Sequence, residues 1–170
     1  MLLAGEAALR SGAGMVTLAT RAEHRTAALA RRPELMVVDA DHESDLVSAI
    51  ERASVVVLGP GLGREAWAQQ IFAAVIAQAP ERLLVDADGL FQLAAQPSTR
   101  VNVITPHVAE AARLLATDVA SVQSDRPAAA RRLAQIYSAT VVLKGAGSIV
   151  ASTDQLSICG RGTPAMATAG

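Results

Sequence analysis

Two hydrophobic periods alternate along the chain. Short apolar runs rich in β-branched residues fall at 15–20 (MVTLAT), 34–40 (ELMVVDA), 54–60 (SVVVLGP) and 82–88 (RLLVDAD). Others follow at 102–107 (NVITPH), 140–145 (TVVLKG), 148–152 (SIVAS) and 156–160 (LSICG). The middle runs are continuous rather than alternating, which predicts strands buried on both faces, as in a parallel sheet. Helical spacing separates them. In 64–78, Trp67, Ile71 and Val75 recur every fourth position. In 128–137, Ala129, Leu133 and Ile136/Tyr137 mark one face, and Arg131 and Arg132 the other. Segments 45–53 and 110–116 read as further helices, the latter opened by Thr105 as N-cap and Pro106 at the first helical position.

Strand and helix in turn predict an α/β fold with a mostly parallel central sheet flanked by helices. The last three strands are closely spaced, which suits an antiparallel edge. The 170 residues form one domain, long enough to bury roughly 70% of the unfolded surface. With aromatic residues limited to Trp67, Tyr137, Phe72 and Phe91, the core is built of Val, Leu, Ile and Ala. Trp67 and Met36 read as core residues.

Composition narrows the function by exclusion. Net charge is −1 with both signs interspersed, so there is no basic stripe for nucleic acid. The lone Cys159 excludes an intrachain disulfide, and its apolar run suggests a buried thiol. The longest uncharged run, Ala66 to Pro80, is too short to span a bilayer. The start has no basic n-region of a signal peptide. A soluble, cytoplasmic protein without membrane partners is the expectation.

Ligands of open parallel sheets bind beyond the carboxyl ends of the strands. Four loops fall there: Gly59–Gly63 (GPGLG), Asp86–Gly89 (DADG), Thr105–His107 (TPH) and Lys144–Ser148 (KGAGS). GPGLG lacks the dinucleotide fingerprint, because Arg64 stands where a glycine is needed. It is either a backbone approach to a ligand or a plain glycine turn. KGAGS can offer backbone N–H groups and the Lys144 charge to phosphates, and can equally be a hairpin turn. Its lysine precedes the glycines, so it is no P-loop. His107 at a helix N-terminus reads as neutral, and is either a ligand contact or a cap of its own helix. Asp86 and Asp88 can hold Mg²⁺ or cap the next helix. His24 and His42, among charged residues, read as solvated.

Taken in order, GEAALRSGAGMVTLAT, RPELMV, VVVLGPGLG, LLVDADGL, VITPHVAEAARLL, SDRPAAARRLAQIY, VVLKGAGSIVAS and GTPAMATAG resemble one family. It is the ADP-dependent NAD(P)H-hydrate dehydratase, the C-terminal ribokinase-like domain of the bifunctional NAD(P)HX repair enzyme. The resemblance implies a ribokinase-like fold over residues 1–170, incomplete at both ends. It implies a lyase that restores NADH or NADPH from the hydrate, with ADP or ATP phosphorylating the hydrate hydroxyl and Mg²⁺ accompanying the nucleotide. Gly63 and His107 would contact the hydrate. Lys144, Gly145, Ala146, Gly147 and Ser148 would cradle the nucleotide phosphates. No catalytic residue is expected within the chain: the family's general base is an Asp in a Gly-Asp pair placed after Gly170, so little or no turnover is expected of residues 1–170. A homo-oligomer and an N-terminal epimerase domain in the parent chain are further expectations. Departures are Val108-Ala109 in place of Pro-Gly, Ser148 in place of threonine, and TPAM (163–166) in place of a glycine before Met166. Two other readings stand beside this one: a ribokinase-like kinase of the hydroxymethylpyrimidine type, and a non-catalytic nucleotide-binding remnant.

Overall fold

The computed structural model describes residues 1–161. The 162–170 segment, with the TPAM departure and the approach to the expected base, lies outside the described residues. The chain begins with α1 (Leu2–Arg10), β1 (Thr17–Thr20), a 3-10 turn (Ala22–His24), α2 (Arg25–Arg31), β2 (Met36–Asp39) and α3 (Glu43–Arg52). It continues with β3 (Val56–Leu58), α4 (Ala66–Gln78), β4 (Leu83–Val85), α5 (Asp88–Ala95), β5 (Val103–Ile104) and α6 (Val108–Leu114). Last come α7 (Val119–Ser124), α8 (Arg126–Tyr137), β6 (Thr140–Leu143), β7 (Ser148–Ala151) and β8 (Leu156–Cys159).

Each of the eight predicted strands forms, in a shorter version. The runs overshoot because their last residues turn into the loops that leave the sheet. The strands divide between two sheets. β1 and β2 pair in parallel by themselves, Thr17 opposite Met36 through Thr20 opposite Asp39. The six-stranded sheet runs β3-β4-β5-β6-β7-β8 in chain order. Its first four strands are parallel, and β6-β7-β8 are antiparallel, as the close spacing predicted.

Val85, Ile104, Val141 and Leu143 are fully buried at the centre of this sheet. They pack with Phe72 of α4, Leu90 and Leu93 of α5, and Leu133 of α8. Burial on both faces fails around β3, where Val57 and, just before the strand, Val55 are exposed. Among the described residues β3 is the outer strand of its sheet, with a neighbouring strand on one side, β4. α3 sends Leu46 and Ile50 into the same core and also packs on β1 and β2, linking the two sheets.

Three expectations of burial are corrected. The buried stripe of α4 is Ala68, Phe72 and Val75, not Trp67, Ile71 and Val75. A strict four-residue step gains about 40° per repeat on a 3.6-residue helix, so it drifts off one face. Trp67 is instead half-buried, donating from Nε1 to Asp41 Oδ1 and lying under the Arg21 guanidinium. Met36 is exposed, because β1 and β2 bury only a small cluster around Leu18, Ala28 and Leu35. Cys159 is exposed on β8, the last strand of its sheet, with Sγ donating to the Arg161 carbonyl.

Candidate active site at the carboxyl edge of the sheet

β3, β4, β5 and β6 run the same way, so the loops after them emerge on one edge. Four successive strand ends thus bring together residues 59–63, 86–89, 105–107 and 144–148.

The first two loops meet backbone to backbone. Leu58 carbonyl accepts from Asp86 N at 3.0 Å. Gly59, at φ +124°, lies so close that a Cβ there would be 1.8 Å from the Asp86 carbonyl oxygen. No other residue fits at that approach. The loop is then held by Asp88, whose Oδ2 accepts from Gly63 N at 3.0 Å and whose Oδ1 faces Arg64 Nε at 3.3 Å. Gly63 itself is exposed, and a Cβ there would meet nothing within 4 Å among the described residues.

His107 is the N-cap of α6, where the sequence pattern placed Thr105. Its Nδ1 accepts from Ala109 N at 3.1 Å and Glu110 N at 3.3 Å. Glu110 returns the contact, Oε2 accepting from His107 N at 2.7 Å, which completes a capping box. The acceptor role of Nδ1 puts the ring proton on Nε2, which faces Glu110 Oε1 at 3.4 Å. The ring is exposed, so a face of it stays accessible while both nitrogens are engaged at the start of α6. Val108 and Ala109 form the first turn of α6, and Ala109 supplies one of the capped amides.

Lys144 ties the remaining loops to one another. Its N–H donates to Pro106 carbonyl at 2.8 Å. Its ammonium donates to Asp86 Oδ1 at 2.8 Å and stands 3.8 Å from Glu110 Oε2. Burial works to raise the Asp86 pKa, but hydrogen bonding by Lys144, Thr105 and the Ala87 backbone, together with the Lys144 charge, outweighs it, and the carboxyl ends below its ordinary value. The turn beyond Lys144 carries Gly145 at φ +151° and Gly147 at φ +65°. Ser148 Oγ closes it by donating to Gly145 carbonyl at 3.1 Å.

The structure therefore brings the 144–148 turn, His107 and the GPGLG loop to one edge. The Asp86–Lys144–Glu110 cluster was not legible in the sequence. Asp86 and Lys144 are 58 residues apart, and neither motif names the other. Asp88 neither caps through its side chain nor pairs with Asp86; strand β4 stops at Val85, so the two carboxylates diverge. Two open cavities are lined by residues outside these four loops. One of 340 Å³ sits between Pro97–Arg100 and Tyr137, the other of 470 Å³ between Arg21, Asp41 and Trp67. Among the described residues no group of three or more His, Cys, Asp or Glu could cage a metal, and no helix is long and apolar enough to cross a membrane.

A mostly parallel sheet with a lysine-glycine turn and a capped histidine on its carboxyl edge defines a ribokinase-like α/β domain. A ribokinase-like superfamily protein of Enterococcus faecalis superposes with a TM-score of 0.88 at 31% identity, covering 99% of this chain and 61% of its own. The chain belongs to the family described as NAD(P)H-hydrate dehydratase, which matches it over residues 1–170. The bifunctional NAD(P)H-hydrate repair enzyme Nnr of Escherichia coli is 47% identical over 170 residues, covering 99% of this chain and 33% of its own length. The ADP-dependent (S)-NAD(P)H-hydrate dehydratase of Lactiplantibacillus plantarum is 36% identical over 176 residues, covering 100% of this chain and 62% of its own. The chain thus spans about a third of the longer curated relatives it matches.

Proposed function

We propose that this edge carries the nucleotide-dependent dehydration of NAD(P)H hydrate back to NADH or NADPH. The observation that carries the reading is the convergence of GPGLG, His107 and the Lys144–Ser148 turn through the Asp86–Lys144 contact, in a chain of this family. ADP or ATP is the phosphoryl donor, as the name of the Lactiplantibacillus plantarum relative supports for ADP. Glycine turns of the 144–148 kind offer backbone N–H groups to phosphate oxygens, and Lys144 adds a charge beside them. Gly63 and His107 face the hydrate: among the described residues Gly63 has open space where a side chain would stand, and His107 presents an exposed ring.

Phosphoryl transfer asks mainly for positioning and charge stabilisation. Transfer to the hydrate hydroxyl converts it into a phosphate leaving group, and its departure with loss of a ring proton restores the dihydronicotinamide double bond. Asp86 and Glu110 fit a magnesium ion: two hard carboxylates sharing one ammonium beside the phosphate turn suit a metal held mostly by phosphates and water. Bound there, Mg²⁺ would neutralise phosphate charge. Relatives named bifunctional support a further domain, read as the epimerase, in longer forms.

Product analysis tests the reading. The full protein, given the hydrate with ADP or ATP and Mg²⁺, is expected to yield NADH and free phosphate. A stable phosphorylated product with no NADH would instead establish a small-molecule kinase.

A further inference from the structure

The segment SDRP (124–127) opens α8 beside the site. Asp125 caps the helix, its side chain accepting from Ala128 N at 2.9 Å, and Pro127 sits in the first turn. These fix Arg126 as the first helical residue. Its side chain crosses to the 144–148 turn. Nη1 donates to Ala146 carbonyl at 2.7 Å, and Nη2 to Leu143 carbonyl at 3.4 Å. A Cβ on Gly145 would come within 2.8 Å of Nη2, so the guanidinium lies directly against that glycine. Arg126 Nε is buried with no partner among the described residues. The orientation of the group is therefore set by the turn, and not by the best use of its own donors.

We infer that Arg126 is a positioning residue: by bridging carbonyls on either side of Gly145, it shapes the Lys144–Ser148 turn before a nucleotide binds. The inference rests on reading that turn as the phosphate cradle. A loop ordered in advance leaves less entropy to lose on binding, so the benefit falls on nucleotide affinity. The rigid fork of arginine spans two carbonyls, which a lysine ammonium does not reproduce.

The test uses R126A and R126K in the full protein. Amide hydrogen exchange is read without ligand, and nucleotide titration and steady-state kinetics follow. In R126A, exchange at Gly145–Ser148 is expected to quicken while β4 and α5 are unchanged. Kd and KM for the nucleotide rise by roughly tenfold, the loss expected for charge-assisted hydrogen bonds. The kcat at saturating nucleotide and the KM for the hydrate hold within about twofold, since Arg126 does not touch the reacting atoms. R126K falls between and supplies the same readouts should R126A unfold. A merely structural role would lower the melting temperature and the active fraction but leave KM in place. Unchanged exchange at the turn overturns the positioning role, whatever the wild type binds. Quickened exchange with unchanged nucleotide affinity overturns its link to binding. A wild type that binds neither ADP nor ATP overturns the nucleotide reading, and with it the purpose assigned to Arg126.

Discussion

In the six-stranded sheet, Val85, Ile104, Val141 and Leu143 are wholly buried and the loops above them touch through backbone atoms. In the β1–β2 unit, three buried residues form the cluster, and charged pairs lie around it. There Glu6 of α1 pairs with Arg31 Nε at 2.5 Å and Arg32 Nε at 3.4 Å, while Arg21 lies over Trp67, which donates to Asp41. The difference shows where geometry must be held. Backbone contacts over a close-packed core resist the small displacements that a reacting site tolerates poorly, whereas long charged side chains accommodate them.

The sharpest way to break the contrast is to empty each core. Phe72→Ala, in the main core, is expected to lose about 3–5 kcal/mol of stability, and Leu18→Ala nearer 2 kcal/mol, because the small cluster can relax around it. Urea unfolding of the two variants measures the gap. Next come the glycine turns. Gly59→Ala drives a Cβ into the Asp86 carbonyl and is expected to cost about 2–4 kcal/mol together with nearly all turnover. Gly12→Ala also places alanine at positive φ, but nothing lies within 4 Å there. It is expected to cost about 1 kcal/mol with activity intact, since only the backbone preference is lost. Thermal melts paired with assays separate them.

Lys144→Met tests the electrostatics of the edge. The folded Asp86 pKa lies below its ordinary 3.8, so its contribution to stability is present above that pH and lost as pH falls through the depressed value. With the ammonium gone, its hydrogen bond and charge no longer oppose burial, and the carboxyl shifts upward from its wild-type position. Acid unfolding, followed by circular dichroism, is then expected to begin at higher pH than in the wild type. His107→Ala removes the acceptor for two amides of α6 and is expected to cost about 1 kcal/mol. The smallest effect is assigned to the surface of the other unit. Arg21→Ala is expected to cost about 0.5 kcal/mol, as an exposed cation–π contact does. Trp67, the single tryptophan, reports that change by its fluorescence.

Much of the sheet was legible because burial writes itself into runs of Val, Leu and Ile. The pairing of those runs was not: β1 and β2 read like the other strands, and nothing in TLAT or MVVD says that they pair only with each other. The loops of the site were legible as glycine and histidine motifs at strand ends. Their partners were not, since Lys144 meets Asp86, and Arg126 meets Ala146, through separations that only the folded sheet closes. Cys159 shows the same limit, its apolar run lying on the last strand of the sheet.

The central claim is that the Lys144–Ser148 turn above the six-stranded sheet, and not the Arg21–Trp67 groove, holds the nucleotide. Amide hydrogen exchange of the full protein with and without ADP and Mg²⁺ tests it most directly. Protection is expected at 144–148 and beside it at 86 and 110, with residues 21–23 and 41 unchanged. Protection confined to the Arg21, Asp41 and Trp67 groove, with the 144–148 turn unaffected, would contradict it.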